Sequence, residues 1–296
     1  MIRAFINISL FLMLSLNVLA QQTKTDEALM AYKEGDLNKA KVLITEALEN
    51  EEQRNDSKTW NFKGHIFKQI YKLSGLNPTS EERDIASEAF MKSSDLNKES
   101  KFHSDNLKAL KYLSATYFND AVKAAIDVRY STAEDPVDYF EKFRTIKLWI
   151  NPAENITRQE LEFLKLLAQG FEVAHSESEN GDEILLEKAV EHYKRAITLD
   201  SLDYEANFNL AIVYYNEGAK LISQIDYTTG FIELLEIQKE CVELFKNALP
   251  FMEKADEIRP DRIETIKGLM FINRALNNFD KYLELKVKLD QILKEK

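Results

Sequence analysis

With 296 residues the chain has room for one or two domains, or for a repeat array that runs through as one body. Eight glycines, five prolines and 30% charged residues favour long helices over a strand-rich fold, which needs frequent Gly and Pro turns. The formal net charge of −11 becomes −12 once residues 1–20 and their Arg3 are removed, and no compact basic patch offsets it, so nucleic acid is not an expected partner.

Residues 1–20 have the form of a cleavable secretory signal. Arg3 supplies a positive start, Ala4 to Leu16 an apolar stretch, and Val18-Leu19-Ala20 modest side chains before a cut between Ala20 and Gln21. A permanent span needs about 20 apolar residues, and Asn7, Ser9, Ser15 and Asn17 interrupt this one. No cysteine follows to carry a lipid, and no later apolar run reaches membrane length. The mature chain, 21–296, is therefore expected to have no membrane span and to be exported, periplasmic or secreted. Cys241 has no partner for an internal disulfide and, in an apolar helical stretch, reads as a buried structural thiol.

Helical patterning begins near Asp26. Tyr32-Lys-Glu-Gly35-Asp36 reads as a helix end with a glycine cap and a restart, and Ala40-x-x-x-Ile44-x-x-Ala47 as the returning helix. Glu49 to Lys58 reads as a polar connector before Trp60-x-x-Lys63-Gly64-x-x-Phe67. A loop at Gly75–Ser80 precedes Ala86-x-x-x-Phe90-x-x-Ser93. Leu110-x-x-Leu113-Ser114-x-x-Tyr117 opens a helix whose pattern runs on through Ile126, and Pro136 fits the first turn of the next. Thr157-x-x-Glu160 is a capping-box candidate ahead of Leu164-x-x-Leu167-Ala168-x-x-Phe171. Then come Ala189-x-x-x-Tyr193-x-x-Ala196, a short turn, and Asn207-x-x-Leu210-Ala211-x-x-Tyr214-x-x-x-Gly218. That helix is expected to reach about Gln224 and to turn at Asp226–Gly230. A long helix from near Ile232 follows, kinked or restarted near Asn247 by Pro250. Ile266-x-x-Leu269-Met270 and Phe279–Leu293 make a last pair.

The small residues in these spacings mark helix crossings, since axes about 8–10 Å apart leave no room for large side chains there. The pattern resembles the tetratricopeptide repeat, with its Trp-x-x-Leu-Gly-x-x-Tyr, Ala-x-x-x-Phe and Pro signature. The likeness is strongest over 183–293 and looser over 26–178. Lys63 stands where the signature has leucine, and a Sel1-like or other helical-hairpin solenoid shares most of the period. The resemblance implies an all-α, right-handed α-solenoid of about five such hairpins, with one elongated hairpin near the C-terminus, filling 21–296.

Chemistry is sparse. His65, His103, His175 and His192 show no zinc-ligand spacing, and the Glu177, Glu179, Asp182, Glu183 turn lacks the alternation of a calcium loop. There is no phosphate-binding Gly-rich loop and no nucleophile elbow, so no cofactor, metal or catalytic residue is assigned. The resemblance instead implies a concave groove lined by first helices at i, i+3, i+7 and i+10. On this chain that stripe nominates Asn61, His65, Lys68, Lys108, Lys111 and Phe118 in a basic half, and Phe208, Ile212, Tyr215, Phe271 and Arg274 in an apolar half. Lys165 also falls on it, but Glu264 and Gly268 take the places of the cations that clasp a C-terminal carboxylate. The implied function is a non-enzymatic scaffold or adaptor of the cell envelope that binds a peptide or protein. A groove filled by the chain's own helices is the competing reading. The alternatives in function are a structural protein that self-associates through a 222–240 hairpin and an envelope hydrolase using groove carboxylates.

Overall fold

The structure, a computed structural model, describes residues 23–126, 128, 136–178 and 182–295. The expected export signal, 1–20, and Glu179 of the acidic turn lie outside the described residues. Among the described residues there are helices and no strand: α1 (Lys24–Glu34), α2 (Leu37–Ala47), the single-turn α3 (Glu51–Arg54), α4 (Ser57–Leu73), α5 (Glu81–Leu96), α6 (His103–Ile126), α7 (Pro136–Ile150), α8 (Thr157–Glu177), α9 (Glu183–Leu199), α10 (Tyr204–Ser223), α11 (Phe231–Ile258), α12 (Ile263–Ala275) and α13 (Phe279–Glu295). The fold is an all-α solenoid of helical hairpins, with α1/α2, α4/α5, α8/α9, α10/α11 and α12/α13 as packed pairs.

Local chemistry sets the ends. Thr23, Asp36, Asn50, Asp56, Asp182 and Asp203 each stand just before a helix with a side-chain oxygen accepting a free first-turn N–H. Gly35 closes α1 in the left-handed conformation, its φ of 84° costing a glycine nothing. The Glu49–Lys58 connector holds α3, because Asn50 caps it through Gln53 N. Thr157 does not cap α8: it is the first helical residue, and Asn155 Oδ1 accepts its N–H at 2.9 Å. Neither does Pro250 divide α11, which runs unbroken for 28 residues. The ring is on the exposed side, where bending toward the core costs least.

The chain divides into two compact units. One holds the described residues up to Phe118 together with Glu141–Ala153, so it contains α1–α5 and parts of α6 and α7. Ala28, Ala40, Ile44, Ile66, Ala86 and Phe90 form its interior. Gly64 of α4 crosses α5 at Phe90, where a Cβ would stand 2.6 Å from the ring. Lys63 lies over the Trp60 ring at 5.0 Å and the Phe67 ring at 5.8 Å, its stem covering apolar surface in leucine's place.

The other unit holds the described residues of Asn119–Phe140 and Glu154–Lys296, including α8–α13. Ala189, Tyr193, Ala196, Leu210 and Ala211 are fully buried in it, as contact points of a helix crossing should be. A cluster of Ala211, Cys241, Phe245, Ala248, Met252, Ile266 and Leu285 binds α10 through α13. Cys241 is buried, with its Sγ 3.4 Å from the Gly218 carbonyl oxygen.

Candidate functional site

The first helices of the first unit line an open cavity of about 270 Å³. Leu29 and Tyr32 come from α1, Asn61, Phe62, His65 and Ile66 from α4, and Phe102 and Asp105 from the start of α6. Its wall is overwhelmingly apolar, with the Phe62 and Phe102 rings edge to face at 5.9 Å. Three helices can supply one wall because their packing is fixed from behind by buried polar bonds. Asn61 Nδ2 donates to Asn106 Oδ1 at 2.8 Å, and Asn106 Nδ2 donates to Ser93 Oγ at 2.9 Å and Ser94 Oγ at 3.0 Å. Ser93 Oγ in turn donates to the Ser57 carbonyl at 2.7 Å. On the other side Thr25 and Thr59 share a hydroxyl bond of 2.8 Å, linking α1 to α4.

The polar edge of the cavity is His65 against Asp105, Nε2 to Oδ2 at 2.6 Å, with the imidazole standing edge-on to Phe90. Burial, aided by the Lys68 charge, holds the His65 pKa below the usual histidine value despite the pull of Asp105. A neutral imidazole therefore donates to an ionised carboxylate. Burial pulls Asp105 the other way, but bonds from His65 and Asn61 and the nearby cations leave its pKa lowered. Lysines surround this edge. Lys58 lies over the Phe62 ring while paired to Asp26 at 2.5 Å, Lys101 over Phe102, and Lys68 over Phe90. Lys108 and Lys111 are exposed on α6, the first of them one turn beyond Asp105.

The nominated residues thus separate. His65 is in the cavity and Lys68 one helical turn from it. Asn61 is 2% exposed and forms the floor of the cavity, with its amide donating to Asn106 of α6. Phe118 is half-buried, its ring 5.0 Å from Phe143. In the second unit Phe208, Ile212 and Tyr215 are half-buried against the α10–α13 cluster, and Phe208 stacks on Tyr204. Tyr215 touches both Phe245 and Phe271, and Phe271 remains 48% exposed. Arg274 is exposed, with its guanidinium 6.0 Å from the Tyr282 ring centre.

Lys165, on the same stripe, is buried and meets Glu205 at 2.8 Å, Asp203 at 3.1 Å and Glu162 at 3.2 Å. Burial opposes its charge, but the three carboxylates prevail and raise its pKa well above the ordinary lysine value. A charge so surrounded joins α8 to α10 and is not offered to a ligand. Among the described residues no three His, Cys, Asp or Glu side chains converge as a metal site, and no helix is long and apolar enough to cross a membrane.

Leu29, Tyr32, Phe62 and Phe102 escape the stripe. Phe62 is one residue off it, and α1 shows in the sequence only as part of a hairpin. Phe102 precedes its helix, and its one signal is a lone large apolar residue within the polar run 97–105.

Residues 186–218 match the family model of the TPR repeat. No curated protein matches the chain. Among solved structures the chain is similar to the MamA protein, at 17% identity over 79% of this chain and 93% of that one, TM-score 0.32. It is similar to pilF of Pseudomonas aeruginosa at 10% identity over 92% and 96%, TM-score 0.30. It is also similar to human IFIT1, solved as a dimer with m7Gppp-AAAA, at 14% identity over 89% of this chain and 58% of that one, TM-score 0.37.

Proposed function

We propose, for a chain that belongs to the tetratricopeptide-repeat family, that it is a non-enzymatic adaptor of the cell envelope whose first unit captures a segment of a partner protein. The observation that carries this is the apolar cavity walled by α1, α4 and α6 with lysines around its polar edge. A single bulky side chain, Phe, Trp or Leu, fits a pocket of this size and lining, and carboxylates beside it in the peptide would meet Lys68, Lys101 and Lys108. The His65–Asp105 pair supports binding better than catalysis, because the lining residues include no serine, threonine or cysteine for the imidazole to activate.

Selection from a peptide library on the purified protein tests this. Enriched peptides should share one large apolar residue flanked by Asp or Glu. Replacing Tyr32 and Phe102 together by Ser should abolish their binding with helicity unchanged. Enrichment that survives this double variant would place the site elsewhere.

The envelope location rests on Arg3, the apolar stretch Ala4–Leu16 and the Val18-Leu19-Ala20 step. Mass measurement of the protein recovered from its native cell should give a chain beginning at Gln21. An intact Met1 form retained in the cytoplasm would overturn export.

A further inference from the structure

The elongated hairpin carries more apolar surface than the second unit uses. Gly218 on α10 and Cys241 on α11 are the last buried residues toward its tip, and nothing described between 222 and 240 is buried. Ile237 and Leu221 still pack against the core from the side, so Phe231–Glu236 extends about 9 Å past the last such contact at 1.5 Å per residue. Tyr227 is 99% exposed, Phe231 76%, Ile232 73%, Leu235 49% and Ile222 48%, with Ile225 and Leu234 at 37%. Two stripes run along this part of α11. Phe231 and Leu234 prolong the core-facing row of Cys241, Phe245 and Ala248. Ile232, Leu235, Lys239 and Val242 fall at i, i+3, i+7 and i+10, the seam by which one helix packs against another.

We infer that this arm pairs with the same arm of a second copy of the chain. Tyr227 and Phe231 offer roughly 150–250 Å² each when buried, and with the five smaller Ile and Leu side chains the exposed fractions come to an apolar area on the order of 700 Å². That area, spread over both helices and the turn between them, approaches one partner's share of a standard interface, about 800 Å². A two-helix arm cannot bury its own outer face, and a two-fold axis between two such arms completes a four-helix arrangement in which each supplies what the other lacks. Lys220 and Lys239 are interspersed with Asp226, Glu233, Glu236 and Glu240, so the arm carries charges of both signs around its apolar residues. The pairing is independent of the cavity in the first unit.

Sedimentation equilibrium on the full mature chain, with hydrogen exchange at low and high concentration, tests it. A concentration-dependent dimer is expected, with amide protection of residues 231–240 rising as it forms. Ile232→Glu with Leu235→Glu should raise the dissociation constant by about a hundredfold or more while helicity holds. Both sites are solvent-exposed, so the monomer should tolerate them, and Tyr227→Ser alone gives a second, milder reading in the same direction. A chain monomeric at every concentration overturns the inference, as does a dimer that survives the double variant or protects residues elsewhere. Flotation of that monomer with phosphatidylcholine vesicles would assign the arm to a membrane surface instead.

Discussion

His65 shows how a site residue is set by what lies around it. Its imidazole keeps a lowered pKa because burial and Lys68 outweigh Asp105. In the unfolded chain the group titrates near 6.5. Between the folded pKa and that value the unfolded state binds more protons, so stability is complete above about pH 6.5 and is lost as pH falls through the folded pKa. His65→Gln, which can still donate to Asp105 but does not titrate, should abolish this dependence. Urea unfolding at pH 7.5 and 5.5 checks it: the wild type should lose ground to the variant at the lower pH, and parallel losses would refute the assignment. Lys165 is the opposite case, a cation held by three carboxylates. Lys165→Met leaves Asp203, only 15% exposed at its side chain, beside uncompensated negative charge. A loss of about 1–3 kcal/mol is expected, kept below the figure for a fully buried pair because Glu162 and Glu205 remain solvated. Equilibrium denaturation measures it, and a neutral result would mean that the cluster relaxes into water.

At the scale of helices, close approach at glycine is the governing constraint. A Cβ at Gly64 would press on the Phe90 ring, and one at Gly170 would land on the Ala125 carbonyl oxygen. A ring can shift by a few tenths of an ångström and a helix backbone cannot. Gly64→Ala should therefore cost about 1–2 kcal/mol after the helix-propensity gain of about 1 kcal/mol, and Gly170→Ala about 3 kcal/mol. Thermal melts of the two variants should fall in that order, and the reverse order would show that α8 slides freely. Such crossings are legible in the sequence, because a small residue spaced by helical turns from aromatics leaves a gap that only a neighbouring helix fills. Gly35, the turns at Gly75–Ser80 and Asp226–Gly230, and the elongated hairpin are legible for the same local reasons. The Thr157 cap misleads because Asn155 and Thr157 both carry an oxygen suited to capping, and only backbone geometry decides between them. Periodicity places Asn61 on the face of α4 that lines the cavity but cannot show its partner, Asn106, 45 residues away. The cavity needs three helices at once, so only the part of it on α4 can be nominated from the chain alone.

For the molecule as a whole, a helical-repeat chain couples each hairpin mainly to its neighbours, so damage should stay near where it is made. Ala211 is fully buried where α10 meets the α11–α13 cluster. Ala211→Trp forces that crossing apart and should destabilise by about 1–3 kcal/mol. The physical question is how far the loss travels. If stability is a sum of hairpins and the contacts between neighbours, amide protection should collapse in α10, α11 and α12 while α1 and α2 exchange as in the wild type. A chain folding as one cooperative block would lose protection everywhere by the same factor. Hydrogen exchange resolved by peptide separates these outcomes. A uniform loss would also remove the basis for treating the cavity of the first unit and the arm of the second as independently adjustable surfaces. A local loss means that each can be altered, and its partner identified, while the other stays folded.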